Sequence, residues 1–243
     1  MNLLKYETIA LNKGYKVLCG VDEVGLGPLA GPLIACAIAM DKKAIADAKR
    51  IHIGMYKIND SKQVPKDIRE KLFKRILGAS LAVGIGIVDV PELNRIKNIR
   101  KSGYLARYRA VSNLGRSNYC HCHIYWHPLD QNLEYALKFH VFYTPVVPHY
   151  IMVDGPFGMP EIKDVPVKSI IGGDGKSMLI AAASIIAKVY RDDIMMKLHD
   201  LYPYYGFNTN MGYGTKYHFD AIKKYGVSPV HRNHFVKEIV NGR

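Results

Sequence analysis

Acidic side chains are scarce in this sequence, with 21 Asp and Glu against 34 Lys and Arg, and residues 93–129 contain none. That stretch carries Arg95, Lys97, Arg100, Lys101, Arg107, Arg109 and Arg116 instead. A net charge of +13 points to a polyanionic partner, most often nucleic acid. Cysteine is also sparse: Cys19, Cys36, Cys120 and Cys122 are the whole set. Two of them sit in apolar runs, where a free thiol behaves as a small hydrophobe. With no export signal in view, a disulfide framework is not expected. Long hydrophobic runs are missing as well. The longest, residues 29–40, is broken by Gly31 and Pro32 and is too short to span a bilayer. The opening "MNLLKYETIALNKGYK" has no continuous apolar core and no small-residue cleavage site. A soluble, cytoplasmic protein is the expectation, with a chain of 243 residues sized for one large domain or one domain plus an appendage.

"YCHCHIYWH" (119–127) invites a zinc reading. Its alternation argues for a half-buried strand, with Cys120, Cys122, Ile124 and Trp126 on one face and Tyr119, His121, His123 and Tyr125 on the other. The paired Cys-x₂₋₄-Cys knuckles of a structural zinc site are absent.

The apolar pattern sets out an alternation of strands and helices. Strands are expected over residues 16–21, 33–40 and 80–90, and the short link between the first two favours antiparallel pairing. Pro65 opens a helix with Ile68, Leu72, Phe73, Ile76 and Leu77 on one stripe. Another helix runs from Pro91 to about 111, apolar at Leu93, Ile96, Leu105, Tyr108 and Val111, with its cations on the other face. A short helix is expected near Asp130. "HYIMVDGPF" is a strand ending on Asp154, and "VPVKSIIGGD" is another ending near Asp174. Ser177 caps a long apolar helix, a Tyr/Gly-rich loop follows, and a helix at 216–225 leads to a basic tail. Such an order suggests a mixed-sheet α/β domain.

Three of these strands finish in carboxylates: Asp22 with Glu23, Asp154, and Asp174. The carboxyl ends of strands are where α/β sheets build their sites. Four converging carboxylates would repel, and some would take up protons unless a divalent cation neutralised them. All-oxygen ligation suits Mg²⁺ or Mn²⁺. Adjacent residues on a regular strand face opposite ways, so Asp22 and Glu23 share a site only if the strand ends or bulges there, which Gly25 and Gly27 would permit. A dinucleotide fold at "GVDEVGLGPLAG" is excluded, because the pyrophosphate would lie against two acids and the third glycine is one residue late. "GGDGKS" (172–177) is not a phosphate loop, since its first glycine would fall on Ile170.

The blocks "GVDEVGLGPLAGP" (20–32), "NDSK" (59–62), "VDG" (153–155), "IIGGDGKSMLIAAASIIAKVYRD" (170–192), "MGYGTKYH" (211–218) and "SPVHRNHF" (228–235) resemble ribonuclease HII in order and spacing. The resemblance covers most of the chain outside 112–148. It implies the ribonuclease H fold, α/β with a mixed five-stranded sheet flanked by helices and a C-terminal helical segment. It implies a catalytic domain over 1–200, with 201–243 completing the substrate groove. Its activity would be metal-dependent hydrolysis of the RNA strand of RNA–DNA hybrids and nicking 5′ of ribonucleotides embedded in duplex DNA, leaving 3′-hydroxyl and 5′-phosphate. By that likeness Asp22, Glu23, Asp154 and Asp174 are the catalytic, metal-holding set for Mg²⁺ or Mn²⁺, with two ions per site. The residues it assigns to substrate are Gly25, Leu26, Gly27, Lys62, Tyr213, Lys188 and Arg191, with Tyr213 at the ribose of the RNA–DNA junction.

This chain departs from the family at three places. The middle residue of the glycine–arginine–glycine turn is Leu26, and the lysine before the glycine–aspartate pair is Gly172, so two cations are lost near the substrate phosphates. Residues 112–148 are longer than the family's connection. Two other readings therefore stay open: a non-catalytic hybrid- or DNA-binding relative weakened by Leu26 and Gly172, and a carboxylate–metal nuclease acting on DNA alone.

Overall fold

The computed structural model describes residues 3–50, 65–114 and 145–240. In chain order these form α1 (Lys5–Asn12), β1 (Val17–Val24), β2 (Leu33–Asp41), α2 (Lys42–Arg50), α3 (Lys66–Ala79), β3 (Ala82–Val88), α4 (Val90–Ile96), α5 (Ile99–Ser112), β4 (Tyr150–Asp154), β5 (Val167–Ile170), α6 (Met178–Leu201), α7 (Phe207–Asn210), α8 (Lys216–Tyr225) and α9 (Asn233–Val240). The strands make one five-stranded sheet in the order β3-β2-β1-β4-β5. β1 pairs antiparallel with β2, and β2 with β3, while β4 and β5 continue parallel to β1. The expected mixed sheet and the antiparallel first hairpin are both present. Lys62, the His/Cys strand and the helix near Asp130 fall outside the described residues.

Each face of the sheet buries its own apolar cluster. Leu18, Ile34, Cys36, Ile38 and Met40 pack under α6, whose Leu179–Ala183 stretch is fully buried. Cys19, Val21, Leu33, Ala35, Ala37 and Ala39 pack under Ala106 and Ala110 of α5. The period-2 alternation of β1 and β2 thus divides their side chains between two cores. Gly86 of β3 makes the closest approach. A Cβ there would strike the Ala106 carbonyl of α5 and lie 2.5 Å from the Ala110 nitrogen.

Two expectations are corrected. The helix from Pro91 is two helices: Lys97 turns into the left-handed region (φ 52°), and Asn98 caps α5 by accepting the Lys101 N–H at 3.0 Å. The last strand stops at Ile170, because Gly172 is left-handed (φ 63°) and Asp174 sits in a short 3₁₀ turn beyond it. Glycine enters that conformation without the strain a side chain brings. Ser177 caps α6 as expected, accepting the Ile180 N–H at 3.3 Å.

The C-terminal segment is laced onto the turn between β1 and β2. Leu29 and Ala30 N–H groups donate to the Gly212 carbonyl, the Gly31 N–H donates to Val230, and Arg232 N–H donates to Leu29. Residue 200, where the boundary was expected, lies within α6 (Met178–Leu201).

Candidate active site

β1 runs straight through its acidic pair. Asp22 stands opposite Cys36 and Glu23 opposite Ala35 in an uninterrupted ladder that ends at Val24. The expected bulge does not form, so the two carboxylates leave on opposite faces. Asp22 is buried on the α6 side, where it bonds Ser184, and its Oδ1 accepts the Glu23 N–H at 2.8 Å. Asp154 follows the Val21–Val153 pair of the parallel ladder just as Asp22 does, so the two acids sit side by side. Burial, and then repulsion from Glu23 and Asp154, raises the Asp22 pKa well above the ordinary carboxylate range.

Asp154 is fixed by the turn that follows β5: its Oδ1 accepts the Gly173 N–H at 2.6 Å. Asp174 is the next residue, and its Oδ1 accepts the Gly175 N–H at 2.8 Å. Beneath this turn lies Glu7 of α1, fully buried. Its Oε1 accepts from Ser177 Oγ at 2.6 Å and from the Leu179 N–H at 3.1 Å, which ties the start of α6 to the N-terminal helix. Burial raises the Glu7 pKa, and Oε2 has no partner, so the protonated acid suits this position.

Glu23 faces α5, where Arg107 grips it with Nε at 2.6 Å and Nη2 on the other carboxylate oxygen, and sends Nη1 to the Phe157 carbonyl at 3.1 Å. Both side chains of the pair are below a tenth exposed. Among the described residues no three His, Cys, Asp or Glu side chains form a ready cage for a cation. The opposite facing of Asp22 and Glu23, together with the Arg107 fork, explains why.

The turn after β1 is held from behind by two buried arginines. Arg191 donates from Nε to the Pro32 carbonyl (3.1 Å), from Nη1 to Met211 (2.9 Å) and from Nη2 to Ala30 (3.1 Å). Arg232 donates to Gly31, Leu26 and Pro32 at 2.9, 3.3 and 3.1 Å. Desolvation lowers their pKa values to about 10 and about 9, so both stay charged at neutral pH. Arg191 was expected to meet substrate. It is instead fully buried with its donors spent on main-chain carbonyls, and it positions the turn. Lys188 is likewise turned inward, bonded to Asp192. Leu26 is exposed at the turn's tip, and Tyr213 is partly exposed beside it, with the Arg191 guanidinium 5.9 Å from its ring centroid.

The basic face expected on residues 95–109 is also thinner than its sequence implies. Arg107 is buried on Glu23, and Arg109 forks onto Glu92 at 2.7 and 2.8 Å. Arg95, Lys97, Arg100 and Lys101 are left exposed.

Behind Tyr213 a histidine pair has a determinate proton order. His231 Nδ1 accepts the Ser228 N–H at 2.9 Å, so its proton sits on Nε2, 3.1 Å from His218 Nε2. The His218 proton then sits on Nδ1 and goes to the Tyr213 carbonyl at 2.9 Å. Burial, and then the nearby His218, pushes His231 down to about 4. Below the ordinary pKa of 6.5 the unfolded chain binds a proton that the folded chain refuses. The pair's contribution is therefore intact above pH 6.5 and lost as pH falls toward 4. Urea unfolding at pH 7.5 and 4.5 should show wild type losing about 2.5 kcal/mol more than His231→Gln, a figure set by the size of the shift.

The family model described as Ribonuclease HII matches residues 19–238. The chain belongs to the ribonuclease HII family. The ribonuclease HII of Caldanaerobacter subterraneus subsp. tengcongensis is 38% identical over 98% of this chain and 81% of its own length. Among solved structures, the ribonuclease H2 of Pyrococcus horikoshii OT3 superposes with a TM-score of 0.67 at 23% identity, covering 93% of this chain and 98% of the other. Bst-RNase HIII in complex with Mn²⁺ gives a TM-score of 0.65 at 18% identity, over 94% and 71% of the two chains. These structural likenesses establish the fold, and the sequence likeness establishes an endoribonuclease with ribonuclease H activity. No helix among the described residues is long and apolar enough to cross a membrane.

Glu7, Arg107, His218, His231 and Arg232 carried no individual role in the sequence reading. The last three lie inside blocks that resemble the family, and that was the available signal. Glu7 and Arg107 had none, because their partners lie 170 and 84 residues away.

Proposed function

We propose that this protein cleaves the RNA strand of RNA–DNA hybrids and nicks 5′ of single ribonucleotides in duplex DNA, leaving 3′-hydroxyl and 5′-phosphate ends. The carrying observation is Asp22 beside Asp154 at the carboxyl ends of adjacent parallel strands, where Asp154 adds to the cost of charging Asp22. Such a pair, with Asp174 on the next turn and Glu23 across the strand, fits Mg²⁺ or Mn²⁺ in kind, since these ions accept one or two carboxylates and complete their shell with water and phosphate. When bound, a pair of such ions would supply an activated water and neutralise the leaving 3′-oxygen. The chain's own part is positioning. Main-chain bonds from Gly173 and Glu23 orient Asp154 and Asp22, and Arg191 and Arg232 fix the turn of Gly25, Leu26 and Gly27 against Tyr213.

In this reading the turn's backbone meets the ribose 2′-hydroxyl and Tyr213 stacks at the junction sugar, while Arg95, Lys97, Arg100 and Lys101 meet phosphates. Lys62 would join them from outside the described residues. The test is a panel of three duplexes with Mg²⁺ or Mn²⁺: one ribonucleotide in DNA, a full hybrid, and all DNA. Cleavage of the first two alone is expected. Cleavage of all-DNA duplex would assign a DNA nuclease, and binding without product a non-catalytic relative.

A further inference from the structure

Arg107 is the unusual group in this site. It is a buried cation, held within the acidic cluster by a two-pronged bond to Glu23 and anchored by the Phe157 carbonyl. Glu23, and then Asp22 and Asp154, favour its charged form against the cost of burial. The seat is a built one, because α5 is pressed onto β3 at Gly86 and so brings Arg107 down to the end of β1. Among the named side chains at the site the turn's own tip offers no cation, since Leu26 lies there and would contact a Cβ on Gly103 of the same helix at 3.6 Å.

A carboxylate cluster without metal needs positive charge, and a single guanidinium supplies part of it. The same guanidinium opposes an incoming divalent cation in two ways. It repels the ion, and it occupies both oxygens of Glu23. We propose that Arg107 is a resident counter-cation that holds Glu23 in the metal-free protein, and that it sets the affinity and order of metal binding: Asp22 and Asp154 take the first ion, and Glu23 joins only once Arg107 has released it. This rests on the reading of the carboxylates as a metal site.

Its test compares wild type, Arg107→Met, Arg107→Lys and Asp22→Asn by calorimetric Mn²⁺ titration and by thermal unfolding in EDTA and in rising Mn²⁺, at constant ionic strength. Removing a neighbouring unit charge and freeing Glu23 should tighten Mn²⁺ binding in Arg107→Met by about tenfold. The same variant should unfold at a lower temperature than wild type in EDTA and gain more from Mn²⁺, because the ion now supplies the positive charge that Arg107 gave the acids. Arg107→Lys keeps the charge and should stay within about threefold of wild type. Unchanged or weaker Mn²⁺ binding in Arg107→Met overturns the proposal alone. So does a methionine variant that remains unfolded at every Mn²⁺ concentration, which would make Arg107 purely structural. Absence of Mn²⁺ binding in wild type, matching Asp22→Asn, overturns the metal-site reading and this proposal with it.

Discussion

Asp22→Asn should lower cleavage of a duplex carrying one ribonucleotide by about 10²–10³-fold or more while leaving the fold intact. The two halves of this expectation come from different contacts. Asparagine has the same shape as aspartate, and its amide oxygen can still accept the Glu23 N–H that Asp22 accepts now. It also removes a charge that burial and two neighbouring acids already oppose, so thermal stability should hold or rise. What it cannot supply is a negative oxygen beside Asp154. Single-turnover kinetics with saturating enzyme, read beside the thermal melt, separates the two effects. Equal rates for wild type and variant would remove Asp22 from the chemistry.

Gly86→Ala should cost about 4 kcal/mol, the high end for added bulk in a packed region. The added methyl would meet α5 backbone at Ala106 and Ala110 and the Arg109 Cβ at 2.9 Å, and backbone gives way less readily than a side-chain tip. The helix would have to lift from β3. Because Arg107 lies on that helix, the grip on Glu23 should loosen along with the packing. Denaturant unfolding measures the first effect. If the variant is as stable as wild type, the tight approach of α5 is not a feature of the folded protein.

The sheet was legible because its strands are apolar runs of ordinary length that end in turn residues. Four of the five begin and end within a few residues of where periodicity places them. The fifth stops short of its apolar run, since nothing local announces that Gly172 leaves the extended region. The break between α4 and α5 had a signal in Lys97-Asn98, as Asn is a common cap, yet the surrounding apolar spacing carries a helix straight through it. Asp22, Asp154 and Asp174 were legible as acids at or beyond strand ends, where a buried charge is costly and therefore conspicuous. The direction of Glu23 was not legible, because it depends on whether the ladder stays regular for two more residues. The roles of Arg191, Arg232 and Glu7 were equally hidden. Each satisfies groups that are remote in sequence, and although Arg191 and Arg232 lie in blocks that resemble the family, no local pattern shows that their side chains turn inward.

The lacing of Ala30 to His231 and of Arg232 to the carbonyls of Leu26, Gly31 and Pro32 joins positions about two hundred residues apart. Contacts of that span close late, after the intervening chain exists. The strands and their acids precede the bracing residues along the chain, so the sheet can assemble while the turn after β1 is still unbraced. The acids are thus in place on the sheet before the turn after β1 is made rigid from the other end of the fold.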